Sequence, residues 1–206
     1  MPTLQEQFGN IDIYLFDQML KSRIAPGMRI LDAGCGSGRN LIYLLREGNE
    51  VFAADRDAGA VESVRNLAGA LAPSLPVSNF RVEPVERMSF AEDSVDVVLS
   101  SAVLHFARDD AQFEAMLRGS WRVLQPGGLF FCRLASSIGM ETQIQPIEGR
   151  RCWLPDGSER YLVDAGLLRG YTQRMGELVD PLKTTVVQDQ RAMTTWVVRK
   201  SAHSSL

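Results

Sequence analysis

Histidine is nearly absent from this sequence, with two in 206 residues, and there are only three cysteines. Neither a C-x-x-C pair nor an H-E-x-x-H helix occurs, so the usual donors of a metal centre are missing and none is expected. An odd number of thiols without close spacing excludes a disulfide framework and suits a reducing compartment. No stretch is apolar for long enough to span a bilayer. The start lacks the basic-then-apolar pattern of a secretion signal, so a cytoplasmic protein is expected. Surplus positive charge is lacking too. A net charge of -3 gives no basic face for nucleic acid, whose phosphates need clustered Lys and Arg. There is no internal repeat and no low-complexity tract. What the chain has in quantity is apolar side chains, 45% of the total, enough for the core of one domain over residues 1–206. A monomer or a homodimer is expected.

Glycine is concentrated where it has a use. Residues 31–40 read LDAGCGSGRN, with Gly34, Gly36 and Gly38 at alternate positions. An apolar run ends at Asp32, and Leu41, Leu44 and Leu45 then follow at helical spacing. The order is strand, tight glycine turn, helix. Glycine lets a ligand lie against the backbone and tolerates positive φ, and the N–H groups at a helix start face that ligand. A dinucleotide loop wants GxGxxG. Here the third glycine comes one residue early, and an aspartate precedes the first by two.

Further landmarks follow. The strand over residues 50–54 ends in Asp55, whose carboxylate can accept both hydroxyls of a ribose diol or, alternatively, cap the helix beginning near Asp57. Arg56 can lie flat on an adenine or stay solvated. Residues 94–106, SVDVVLSSAVLHF, hold a continuous apolar run of the kind a central parallel strand needs. Residues 101–106, Ser101 and His105 among them, come just after it and should face the crevice where open α/β sheets bind ligands. His105 is a candidate general base; the alternative is a histidine bonded to local backbone. A helical stripe through Phe113, Met116, Leu117, Ser120, Trp121 and Leu124 stops at Gln125-Pro126-Gly127-Gly128. Residues 183–200 read as two β-branched, aromatic strands joined at residues 189–191.

These motifs, in this order over roughly a hundred residues, resemble the class I S-adenosylmethionine-dependent methyltransferases. DAGCGSG resembles their motif I, DVVL their fourth strand, and WRVLQPGGLFF their segment before the fifth. GCGSGRN and the WLPDGSERYLV string at 153–163 are loosely similar to the tellurite-resistance type within that family. The resemblance implies an α/β fold, a Rossmann-like doubly wound sheet that is mostly parallel with a C-terminal antiparallel hairpin strand. It implies S-adenosylmethionine as cofactor, a small-molecule acceptor, and in-line displacement at the methyl carbon. The implied cofactor residues are Asp32, Gly34, Cys35, Gly36, Gly38, Asn40, Asp55, Arg56, Glu86 and Ser101. The expected acid for the adenine amino group falls close to Pro84, which cannot accept; Glu83 and Glu86 flank it, either being alternatively a surface charge, and Glu86 is taken.

The acceptor side rests on placement. Residues 1–27 form a leading helix, amphipathic over 8–23, whose Asn10, Asp12 and Tyr14 either fold over the cofactor as a lid or simply pack the helix. Residues 136–158 form a long irregular segment after the fifth strand, of the length that is usually functional. Tyr14, Arg150, Arg151 and Trp153 are the acceptor candidates, the two arginines suiting an anion. Cys152, in an expected loop, is a reactive thiol or an idle one. Two other classes stay open, a nicotinamide-dependent oxidoreductase and a non-catalytic cofactor-binding module.

Overall fold

The computed structural model describes residues 3–202, so His203 lies outside the described residues. Two short helices lead, α1 (Leu4–Phe8) and α2 (Ile13–Leu20). The single helix expected over 8–23 is broken at Gly9. Its φ of +63° turns the chain, and a Cβ there would come within 2.5 Å of Ile42. The chain restarts at Asp12, whose carboxylate accepts from the Tyr14 N–H and caps α2.

The body alternates strand and helix. It runs β1 (Arg29–Ala33), α3 (Ile42–Arg46), β2 (Glu50–Asp55), α4 (Ala58–Leu71), β3 (Phe80–Val82), β4 (Val95–Ser101), α5 (Asp110–Val123) and β5 (Leu124–Ser136). Asp57 and Asp109 cap α4 and α5 through the N–H groups of Ala60 and Gln112. Asp57, and not Asp55, is therefore the helix cap near that turn. The long segment after β5 is less irregular than its composition implies. It holds most of a small antiparallel meander, β6 (Gln145–Glu148), β7 (Arg151–Trp153) and β8 (Glu159–Tyr161). The chain ends through α6 (Ala165–Met175), β9 (Gly176–Leu178), β10 (Lys183–Val187) and β11 (Arg191–Lys200).

The main sheet has the order β10-β11-β5-β4-β1-β2-β3, with β9 also paired to β11. Strands β1 to β5 are mutually parallel, and β11 enters antiparallel between β5 and β10. The doubly wound sheet with its terminal antiparallel hairpin is thus present. Its centre is dry on both faces: Ile30, Leu31, Val97, Val98 and Leu99 are all buried. One face packs Phe113, Trp121, Phe130 and Trp196; the other packs Leu15, Leu41, Val61 and Phe131. Each such side chain contributes about 1.5–3 kcal/mol on leaving water. The strand order reverses between β1 and β4, which opens a crevice beyond their C-terminal ends. No helix among the described residues is long and apolar enough to cross a membrane.

Candidate functional site

A cavity of 490 Å³ fills that crevice, within the size range of small-molecule sites. Its floor is backbone. Gly34 and Gly36 hold φ of +89° and +50°. A Cβ on Gly34 would come within 2.4 Å of Val103, whereas one on Gly36 would meet nothing within 4 Å. So Gly34 is fixed by close approach of the β4 loop, and Gly36 leaves room for a ligand against the main chain. Gly38 differs from its expected role. It does not line the cavity; a Cβ there would press on Val64 and Leu67, so its job is close packing of the loop on α4.

Asp55 stands at the end of β2 and at the cavity wall. Its two oxygens accept from the Gly36 and Asp57 N–H groups, each at 3.0 Å. Each oxygen keeps a second lone pair, and both are held in place by backbone. That is the acceptor pair a vicinal diol requires. Across the cavity Glu86 accepts from the Gln112 side chain at 3.3 Å. Glu83 is turned away, bonded to the Ser89 N–H and hydroxyl. Geometry therefore separates the two glutamates that flank Pro84. Asp32, at the end of β1, is buried, and burial pushes its carboxyl up to about 7, with Arg39 opposing the rise and Asp55 adding to it. Cys35, Asn40, Arg56 and Ser101 also line the cavity. Burial raises the Cys35 thiol far above its ordinary value, so it packs as a small apolar group.

His105 is not in the cavity. It is buried, its Nδ1 accepts from the Ala135 N–H at 3.0 Å, and burial drives its pKa down to about 3. The general-base reading is corrected: His105 is a neutral tie between the β4 loop and β5. Arg150 and Arg151 are corrected as well. Arg150 donates to Asp164 at 2.7 Å and Arg151 pairs with Glu159 across the meander, so both serve carboxylates of their own segment. Neither they nor Trp153, which stays exposed on β7, lines the cavity. Cys152 lies in β7, not a loop, and is buried in a small apolar cluster with Leu154 and Leu162, its thiol pushed up by burial, which favours the idle reading over the reactive one. Tyr14 does not line the cavity either; its hydroxyl lies 2.8 Å from that of Thr185.

Val103 and Phe106, from the 101–106 stretch expected to face the crevice, line the cavity. Gln112 and Met116 of α5 line it too and were missed. No local pattern marks these two; only the folding of α5 against the 85–87 turn brings them round. Phe106 is 53% exposed despite its size, and the Arg160 guanidinium covers its ring at 4.8 Å. The meander thus borders the mouth of the cavity. Among the described residues, no group of three His, Cys, Asp or Glu is placed to hold a metal.

Comparison with known proteins agrees with this architecture. Residues 31–132 match a family model described as a methyltransferase domain. The chain is similar to a tRNA 5-carboxymethoxyuridine methyltransferase of Escherichia coli, 27% identical over 124 residues, 60% of this chain and 46% of the relative. It is similar to a ubiquinone biosynthesis O-methyltransferase of Chelativorans, 28% identical over 172 residues, 76% of this chain and 64% of the relative. The chain spans less than two thirds of the length of these relatives. In fold it resembles the 1,6-didemethyltoxoflavin-N1-methyltransferase of Burkholderia thailandensis, solved with bound S-adenosylhomocysteine. The TM-score is 0.69 at 19% identity, over 94% of this chain and 79% of that one. The D-x-G-x-G-x-G loop, the sheet order and these matches converge: the chain belongs to the class I S-adenosylmethionine-dependent methyltransferases.

Proposed function

We propose that the chain, acting as a single domain, moves the methyl group of S-adenosylmethionine to a small-molecule acceptor in the 490 Å³ crevice. The observation that carries this reading is the pairing of a glycine floor with a doubly anchored Asp55 at the topological switch point. The donor set fits the cofactor: a carboxylate with two free lone pairs for a ribose diol, a second carboxylate on Glu86 for an amino group, and a glycine whose missing side chain leaves space. Asp32, Cys35, Asn40, Arg56 and Ser101 complete the wall that would hold it.

When bound, S-adenosylmethionine supplies a methyl group already activated on a positive sulfur. The protein's share is therefore positioning and exclusion of water. The loss of His105 as a base is consistent with that division of work. Residues 1–27 are read as a cover over the crevice. In the 136–158 segment and its meander, Arg160 over Phe106 supports a place at the mouth. We read the chain as cytoplasmic, with all three thiols free, and as a monomer or homodimer.

The relative named for tRNA offers a second reading, an acceptor within RNA. A net charge of -3 weighs against it, since an RNA surface needs surplus cations. Both readings are tested together. S-adenosylmethionine and S-adenosylhomocysteine should raise the melting temperature, by about 2.7 kcal/mol of stabilisation at a hundredfold excess over Kd, and NAD should not. A coupled S-adenosylhomocysteine assay against panels of small molecules and of RNA then decides the acceptor class. Stabilisation by NAD alone would overturn the proposal, and binding without turnover on any acceptor would leave the non-catalytic module.

A further inference from the structure

Beside the crevice, the register of four strands lines up one row of polar side chains. Ser101 on β4 stands opposite Arg133 on β5, Arg133 opposite Thr195 on β11, and Thr195 opposite Lys183 on β10. Residues directly opposite share a face, so all four point the same way. Only the first member reaches the cavity wall: Ser101 lines it and accepts from the Arg39 guanidinium at 3.0 Å, whereas Arg133, Thr195 and Lys183 continue the row beyond the lining. The leading segment lies across it. The wholly buried Asp12 carboxylate takes a hydrogen bond from Arg133 at 2.8 Å and stands 3.8 Å from Arg39. The Tyr14 ring lies 5.6 Å from the Arg133 guanidinium and 6.0 Å from the Lys183 ammonium.

Two features of this row are unfinished as structure. First, the charges do not balance. Two arginines share the single carboxylate of Asp12. Lys183 draws on Asp17 and Asp180, but Lys21 and Arg23 use the same two carboxylates. A chain of net charge -3 has thus gathered surplus positive charge at this one place. Second, polar groups are buried there without partners. Thr195 is only 3% exposed and its hydroxyl meets no partner; the Arg133 Nε–H beside it is buried and unpaired too. Leaving such buried groups unpaired is costly, and the cost is tolerated where a ligand completes them. Asp12 demonstrates that a carboxylate fits between these guanidiniums.

Resting on the methyl-transfer reading above, we propose that Arg133, with Thr195 beside it and Arg39 at the cavity edge, is the subsite for a carboxylate on the methyl acceptor. Arg133 offers further donors than the one given to Asp12, and a guanidinium pairs with carboxylates in a planar, two-pronged way. The acceptor's specificity group therefore lies on β5 and β11, under Tyr14, and not on the Arg150–Arg151 pair of the meander.

The test uses the full chain saturated with S-adenosylhomocysteine. Calorimetry compares benzoate, phenylacetate and salicylate with their neutral carboxamides. At least one carboxylate should bind tenfold or more tightly than its amide. R133Q should abolish that preference, and T195V should reduce it severalfold. T195V keeps the shape of the side chain and removes only an unpartnered hydroxyl, so a merely structural threonine would leave binding untouched. D12N/R133Q serves in place of R133Q if the single change, which strands the buried Asp12 charge, prevents folding. Equal binding of every acid and amide, or a preference that survives R133Q, overturns the proposal. So does a tenfold loss of S-adenosylhomocysteine affinity in R133Q, which would assign the site to the cofactor's own carboxylate. If the wild type fails to bind S-adenosylhomocysteine at all, the methyl-transfer reading falls instead, and the two failures are distinguishable.

Discussion

The two sides of the crevice are built from different material. On the β1–β2 side the wall is largely main chain: Gly34, Gly36 and the N–H groups that hold Asp55. On the β5–β11 side, beyond the cavity lining, the contacts are side chain to side chain, Arg133 to Asp12 and Tyr14 to Thr185. Backbone walls tolerate little change, because a ligand and a neighbouring loop press on the same atoms. Side-chain walls can be rewritten one residue at a time. A fold that keeps its cofactor and varies its acceptor has reason to be built in this way.

The largest effect that would sharpen this contrast is expected at Gly34. An alanine there is strained at φ +89° and overlaps Val103 at 2.4 Å. Overpacking and left-handed strain together should cost about 2–5 kcal/mol in urea unfolding. A loss under 1 kcal/mol would mean that the Val103 loop yields easily and that the floor is softer than argued.

Asp32 gives the next largest effect, and it has a sign. Its carboxyl sits near 7 in the folded chain and near the ordinary 3.8 when unfolded. Between those values the folded state keeps a proton that the unfolded state has released. Stability therefore falls as pH rises from about 4 to about 7, by up to about 4 kcal/mol. In D32N this contribution should vanish. Parallel stability curves for wild type and D32N across that window would show that Asp32 ionises freely.

Asp55 tests the same side through the ligand. Replacing it with alanine should weaken S-adenosylhomocysteine binding by about 1.5–3 kcal/mol for each charged hydrogen bond lost. An unchanged Kd by calorimetry would reduce Asp55 to a brace for the loop.

The contrast also explains what could be read from the sequence. The glycine-floored wall of the cavity was legible because it is local: three alternate glycines after an aspartate, and an acid ending the next strand, lie within 24 residues. The sheet was legible for the same reason, each strand carrying its own apolar run. Gly38 was expected at the cavity because spacing cannot tell a glycine needed by a ligand from one needed by Val64 and Leu67 of α4. The polar row proposed for the acceptor was illegible. Arg133 sits inside a strand that reads as apolar, and its partners are 121 residues upstream and across two strand pairings. Arg150 and Arg151 looked free because their carboxylates, Asp164 and Glu159, reach them only through the meander.

His105 lies between the two sides, and its effect should be on stability alone. Alanine removes the acceptor of the buried Ala135 N–H, at a cost of about 1–3 kcal/mol. With a folded pKa of about 3 against the ordinary 6.5, the neutral imidazole contributes stability above about 6.5 that is lost as pH falls toward 3. H105A should lose this acid sensitivity while S-adenosylhomocysteine release per folded molecule stays within a few-fold. A fall of a hundredfold or more in turnover, with folding intact, would return His105 to the chemistry.

The smallest effect is expected on the meander, and it separates the two sets of arginines most directly. Arg151 and Glu159 form a half-exposed pair across β7 and β8, and pairs of that kind contribute about 0–1 kcal/mol. R151A should therefore change unfolding free energy by less than about 1 kcal/mol, and the loss should shrink further in high salt as the charges are screened. Its acceptor KM should match wild type, because the Arg151 guanidinium is committed to Glu159 across the meander. R133Q should raise that KM instead, as when ground-state binding is removed. If R151A raises KM and R133Q does not, the meander folds over the crevice during turnover, and the side-chain wall of β5 and β11 is only a support.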